Sequence, residues 1–383
     1  MPVLTPTRLY SWFLVAVAGL LLLGSCKEDG EAEPDLDPPV TTPYQLVLPA
    51  GFPQTVVIPA DNPLTQEGVS LGRMLFYETR LSRNNTMSCG SCHQQSKAFT
   101  DGRARAVGVD GAAHTRSAMT LANLLWEPSL NWDGAATGLE GQARTPIENP
   151  VEMHQSLAEG VSKLQQTGLY PPLFRAAFGA ATITEATVLK ALAQFERTLI
   201  SANSKYDKLK RKEISRLTTE EESGRQLFST HPFPIESLVG ANCFHCHNEG
   251  NLLFSSTDYL RGPAATFFNN GLDATLTDTG RGGVTGLATD RGKFRAPTLR
   301  NIALTAPYMH DGRFQTLEQV LDHYSDHVQL TSPNIDPNLL DASNTFNGTQ
   351  LDLTPTQKRQ VIAFLKTLTD STFVQDKRFS NPF

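Results

Sequence analysis

Cysteine is scarce: there are five in 383 residues, at Cys26, Cys89, Cys92, Cys243 and Cys246. So few exclude a disulfide-built scaffold, which crowds its bridges into a much shorter chain. Long apolar runs are also missing. The longest, Trp12 to Leu23, has twelve residues, too few to cross a bilayer as a helix. A basic excess is absent, with 33 Lys and Arg against 39 Asp and Glu and a net charge of −6. That balance argues against a nucleic-acid partner, which would favour a basic surface. With 39% hydrophobic residues the chain has enough apolar material for a core, so it is not a disordered composition. Its length suits two domains better than one. The 28 glycines and 24 prolines predict many loops.

The apolar run follows Arg8 and suits an export signal over residues 1–25. Leu23-Gly24-Ser25-Cys26 resembles a bacterial lipobox, with Cys26 lipidated as the mature N-terminus. A plain signal peptide with a stray cysteine is the other reading. Lys27-Glu28-Asp29 looks like an acidic tag for the cell surface. Residues 26–54 read as an acidic, proline-rich tether carrying Glu31, Glu33, Pro34, Asp35 and Asp37.

The remainder is internally duplicated. Gly72-Arg73-Met74-Leu75-Phe76 precedes Cys89, and Gly224-Arg225-Gln226-Leu227-Phe228 precedes Cys243. Acidic helix-start signals stand before both, at Glu67 and at Glu220 to Glu222. Each half closes with a Thr-started amphipathic helix. Val188, Ala191, Leu192, Phe195 and Leu199 recur at helical spacing in the first, and Val361, Ile362, Phe364, Leu365 and Leu368 form the apolar set of the second. Each half thus predicts a helix, a C-x-x-C-H motif, long loops and a closing helix. The fold class is mainly α, with domains at 55–215 and 216–383.

The two motifs are Cys89-Gly90-Ser91-Cys92-His93 and Cys243-Phe244-His245-Cys246-His247. Cysteines at this spacing can form thioethers with both vinyl groups of one haem, and the histidine that follows reaches the iron as proximal ligand. Chance would produce such a pentad roughly 0.0015 times in a chain of this composition. A zinc ribbon brings its second cysteine pair within about 20 residues, far closer than these pairs lie, and a redox dithiol needs no histidine. Two covalently bound c-type haems are therefore predicted.

With these motifs the chain resembles the bacterial di-haem cytochrome c peroxidases and their relative that matures the tryptophan tryptophylquinone cofactor of methylamine dehydrogenase. The resemblance covers about residues 55–370. It is most specific at Lys293-Phe294-Arg295-Ala296-Pro297-Thr298-Leu299-Arg300-Asn301 and at Ala306-Pro307-Tyr308-Met309-His310-Asp311-Gly312. It implies two cytochrome-c-like domains: an N-terminal haem that splits peroxide, and a C-terminal haem that receives electrons. Glu152 would move the proton, Gln142 would be the distal glutamine, and Trp132 would bridge the haems. Taken alone these residues also fit a solvated first-turn acid, a surface amide and a core aromatic.

The chain departs from the family at the sixth ligand of the first haem, and the second haem has two candidate sixth ligands. The histidine that gates the first iron in resting peroxidases would fall on Val109. His114, five residues on, is the candidate gate if the loop is re-cut; otherwise the iron is open. Tyr324 shares a helical face with Leu317, Val320 and Leu321. It stands where peroxidases place methionine and the tryptophan-modifying relative places tyrosine. Met309 is the other candidate sixth ligand of the second haem. Arg291, Lys293, Arg295 and Arg300 are near enough in sequence to serve the haem propionates. The family's Trp-Asp-Gly-Arg ends here in Ala135. Calcium is implied at Thr305 and Pro307, although its side-chain donor falls on Ser117.

The resulting expectation is an exported, periplasmic or cell-surface lipoprotein that reduces hydrogen peroxide with electrons from a small cytochrome c or cupredoxin. Two rivals stand beside it. One is an oxidase of the same architecture that uses peroxide to modify a protein partner; the other is a di-haem electron carrier without catalysis. Members of the family are often dimers, so a homodimer is the expected assembly.

Overall fold

The computed structural model describes residues 40–232, 239–256, 267–341 and 351–383. The expected signal, Cys26 and the acidic stretch to residue 39 lie outside the described residues. No described helix is long and apolar enough to cross a membrane. The described residues are mainly helical. Their one sheet has two short antiparallel strands, Phe267–Phe268 and Phe294–Arg295, with Phe267 opposite Arg295 and Phe268 opposite Phe294.

The duplicated sequence forms duplicated helix pairs. Gln66–Tyr77 opens the first half, and its Thr65 cap accepts from the Gly68 amide. It packs against the closing helix Glu185–Glu196, which starts with a Thr184–Thr187 capping box. In the second half Thr219–Phe228 packs against Pro355–Lys366, both with capping boxes, and Pro355 starts the latter without wasting an amide. Each crossing hinges on the glycine of the repeated Gly-Arg. A Cβ on Gly72 would stand 1.9 Å from the Ala191 carbonyl, and one on Gly224 would stand 1.8 Å from the Gln360 carbonyl. The apolar sets read from the sequence are buried as read. Val188, Phe195 and Leu199 anchor one core, and Val361, Phe364 and Leu368 the other.

The two cores exchange chain segments. Phe373 and Phe379, near the C-terminus, pack in the first core. Tyr77 and Gln95 hold that tail by hydrogen bonds to the carbonyls of Phe379, Phe373 and Asp376. Conversely Phe52, Leu125 and Trp126 pack in the second core. The tether expected over 26–54 is therefore bound to the body in its last residues. Tyr44 donates its amide to Leu64 at 3.0 Å, and Phe52 is buried. From residue 40 onward the described residues form one compact unit. The expected boundary at 215 falls in the non-helical stretch between the helices Lys205–Lys210 and Thr219–Phe228. Arg300 and Asp207 meet across it as a fully buried bidentate pair at 2.6 and 2.9 Å, and the Arg300 guanidinium also covers the Phe52 ring.

Gly224→Ala or Gly72→Ala is expected to lower stability by about 1–3 kcal/mol or more, because backbone rather than a movable side chain blocks the new methyl. Gly141→Ala is the control: that helical glycine faces open space, so the change should stabilise by up to about 1 kcal/mol. Denaturant unfolding of the three variants checks both signs.

Candidate functional site

Cys89–Cys92 form a single helical turn, which sets the two thiols on one side, as residues three apart must be. His93 follows as the cap, and its Nδ1 lies 2.9 Å from the Phe99 carbonyl. A carbonyl only accepts, so Nδ1 carries the proton and Nε2 keeps its lone pair for a metal. In the second half Cys243–His245 form a tighter turn. There His247 Nδ1 lies 3.1 Å from the Pro297 carbonyl and 3.3 Å from that of Phe254. The backbone bends sharply to present these carbonyls. Phe99 and Phe254 are fully buried in left-handed conformations, with φ of 63° and 53°, which is costly for an aromatic residue. Burial holds both imidazoles neutral and takes His247 down to about 4. It also pushes the thiols up, Cys92 to about 11 and Cys243 to about 12.

A cavity of about 360 Å³ opens on Cys89, Cys92 and His93. Glu152, Gln142, Trp132 and His114 all line it, so the distal residues inferred from the sequence converge on the first motif. Gln142 lies on the helix Leu139–Glu148, and Glu152 follows in the turn after it. Asn149 Nδ2 donates to Glu152 Oε1 at 2.8 Å, and His114 Nε2 lies 3.6 Å from the same oxygen. The His114 Nδ1 accepts from the Arg116 amide at 3.1 Å. Val109 is not among the lining residues; its amide instead donates to the Glu152 carbonyl at 2.8 Å. Gly108 permits that approach, since a Cβ there would stand 2.2 Å from the Val151 carbonyl.

Trp132 connects the halves. Its Nε1 donates to the Ser117 carbonyl at 2.9 Å, and its own carbonyl accepts from the Arg295 amide at 2.8 Å. Two residues on, Pro297 lines the first cavity while its carbonyl holds His247. Where the family has arginine this chain has Ala135. The guanidiniums of Arg116 and Arg281 reach the same turn, at Asp133 and at the Asp133 and Gly134 carbonyls.

Of the four cations considered for propionates, Arg295 lines the cavity and pairs with buried Glu127. Arg300 is fully engaged by Asp207 and the Leu252 carbonyl, so it is structural. Ser117 Oγ donates to the Met309 carbonyl, and Thr305 Oγ1 to that of Ile302. Tyr324 lies in a π-turn, His323–His327, at the end of the helix Leu317–Asp322. It is half-buried and packs against the second core; burial raises its phenol pKa, and the hydrogen bond from Asn270 lowers it.

Glu196, on the closing helix, escaped the sequence reading, because it sits among apolar residues of an amphipathic pattern. It lines the cavity beside Cys89, is 5% exposed, and its Oε2 finds no hydrogen-bond partner among the described residues. Neighbouring Arg197 likewise leaves Nη1 unpartnered. An orphaned Glu196 oxygen beside a cavity that presents two thiols and an imidazole lone pair fits a haem attached there.

Burial raises Glu196 to about 8. The unfolded chain therefore ionises first, and stability falls as pH rises from about 4 to 8. Glu196→Gln is expected to stabilise by at most about 3 kcal/mol at pH 7 and by nothing at pH 4. Urea titrations of both proteins at the two pH values test this.

Residues 66–215 match the family model described as di-haem cytochrome c peroxidase. The chain is 34% identical over 368 residues to methylamine utilization protein MauG of Methylorubrum extorquens, covering 94% of each. It is 33% identical to cytochrome c551 peroxidase of Nitrosomonas europaea, covering 82% of this chain and 83% of that one. Among solved structures, a MauG-like protein associated with microbial copper homeostasis superposes with a TM-score of 0.78 at 36% identity, covering 88% of this chain and 99% of the other.

Proposed function

The chain belongs to the di-haem cytochrome c peroxidase family, an oxidoreductase family acting on peroxide, and on that premise we propose that it reduces hydrogen peroxide to water at the Cys89–His93 site. The balanced reaction is H₂O₂ + 2e⁻ + 2H⁺ → 2H₂O, with electrons arriving singly from a small cytochrome c or cupredoxin. Haem, when bound, supplies the iron that takes peroxide and the conjugated ring that conducts electrons. Cys89 and Cys92 would tether one haem and Cys243 and Cys246 the other, each in a cytochrome-c-like domain. His93 and His247 would hold the irons through Nε2.

The observation that carries this reading is the convergence of Glu152, Gln142 and His114 on the cavity above His93. An electron carrier needs no such distal group. Glu152 takes a proton from one peroxide oxygen and returns it to the other, and Gln142 orients the substrate. His114, tied to the Arg116 amide and facing Glu152, shares that proton rather than blocking the iron. Trp132 couples the sites through its bond to the Arg295–Pro297 segment. The proposal includes calcium at the Thr305 and Pro307 carbonyls, export with Cys26 as a lipid anchor, and a homodimer.

Glu152→Gln is expected to lower peroxide turnover with a reduced cytochrome by about 10²–10⁴-fold while both haems remain attached by mass. Undiminished turnover would remove the proton-transfer role. A requirement for prior half-reduction would make His114 the gate instead.

Tyr324 favours a second reading, an oxidase that uses peroxide to modify a protein partner. An anionic phenolate on the second iron stabilises ferric and higher states, whereas a thioether favours ferrous iron and efficient electron intake. Tyr324→Phe should alter the visible spectrum of the second haem and raise its potential. If it also increases turnover with a reduced cytochrome, the oxidase reading gains; a silent Tyr324→Phe excludes the phenolate.

A further inference from the structure

Asn270 touches both candidates for the second sixth ligand. Its Nδ2 donates to Tyr324 Oη at 3.2 Å and to Met309 Sδ at 3.4 Å. One carboxamide NH₂ has two hydrogens, and both are used on these rivals.

The amide is held in place from several directions. The Asn270 main-chain carbonyl accepts from His323 Nε2 at 3.0 Å, which fixes the backbone that carries the side-chain amide, and His323 adjoins Tyr324 in the π-turn. Next to it Asn269, 3% exposed, donates to Ser332 Oγ and the Pro333 carbonyl at 2.9 and 2.6 Å. Its own carbonyl takes the Asp336 amide at 3.0 Å. Immediately before Asn269, the Phe267–Phe268 strand is pinned to Phe294–Arg295. On the other side Met309 adopts φ of 73°, a conformation uncommon for its residue type. The Ser117 hydroxyl and the Gly312 amide hold it there through its carbonyl.

We propose that Asn270 is the positioning residue that selects Tyr324 over Met309 as sixth ligand of the second haem. The inference rests on the reading of Tyr324 as that ligand. The physical reason lies in what one donor does to two different acceptors. On coordination the phenol releases its proton to solvent, and the amide N–H then meets an anionic oxygen; such charge-assisted bonds are about twice as strong as neutral ones. An N–H to a thioether is weak, and it occupies electron density that iron would otherwise draw on. The same group therefore stabilises the ligating form of tyrosine and competes with ligation by methionine. π-turns recur at functional sites, and this one brings Tyr324 to the amide.

The test uses the exported holoprotein with both haems confirmed by mass. Asn270→Leu removes both donors at similar size. It is expected to gain the near-infrared thioether-to-iron charge-transfer band and to shift the second haem to higher potential. Adding Met309→Ala should abolish the band. In a Tyr324→Phe background the band is expected already, and Asn270→Leu should shift the potential by less than it does beside Tyr324. Asn270→Asp keeps the side-chain shape, replaces the donors by acceptors and should move the spectrum the same way, which covers poor folding of the leucine variant. If Asn270→Leu and Asn270→Asp keep the parent spectrum and potential while Tyr324→Phe changes them, the inference is overturned and the Tyr324 reading stands. If Tyr324→Phe itself changes nothing, the reading beneath it falls. A changed Asn270→Leu spectrum lacking the thioether band also overturns the selection.

Discussion

His93 and His247 each donate Nδ1–H to a main-chain carbonyl, of Phe99 at 2.9 Å and of Pro297 at 3.1 Å, and those bonds decide what each ring can do with Nε2. The chain meets a conformational cost to make them, since Phe99 and Phe254 are both turned into the left-handed region. It can do so because each phenylalanine is locked in a core. Phe99 lies against Phe76 and Phe373, and Phe254 against Tyr206, Phe228 and Phe364. Packing thus holds the backbone, the backbone orients the imidazole, and the imidazole presents its lone pair. The first core includes Phe373 from the far end of the chain, so the first motif depends on the C-terminal tail being docked.

The segment from Arg295 to Thr298 joins the two motifs physically. Arg295, Pro297 and Thr298 line the first cavity, the Arg295 amide holds the Trp132 carbonyl, and the Pro297 carbonyl holds His247. One short stretch therefore touches both centres. The buried Arg300–Asp207 pair lies directly after it. Breaking a buried pair by removing one partner typically costs about 3–5 kcal/mol, so the stretch is firmly seated.

Much of the site was legible because its chemistry is local. C-x-x-C-H falls within one helical turn, and the Gly-Arg repeat and the Thr caps are likewise short-range signals. The placing of Glu152, Gln142 and Trp132 followed from resemblance, and the cavity brings the three together. Other features left no local mark. Glu196 looks like one more residue of an amphipathic helix until its carboxylate is seen beside Cys89. Asn270 lies 39 residues from one of its partners and 54 from the other, with no motif around it. Arg300 stood among four equivalent-looking cations; both it and Arg295 proved to be buried and ion-paired, and only their placement separates them, since Arg295 lines the cavity and Arg300 does not.

The amino-acid sequence by itself determined where the two C-x-x-C-H motifs stand and that the two halves are repeats, because motif spacing and helix periodicity are properties of neighbouring residues. Tertiary structure decided which side chains stand over the first motif, which carbonyl fixes each imidazole, and that a single amide faces both Tyr324 and Met309. The carbonyl of Phe99 lies only six residues from His93, but the Pro297 carbonyl lies 50 from His247 and Asn270 lies 39 and 54 from its two partners, and only the packing of both cores brings these within hydrogen-bond range.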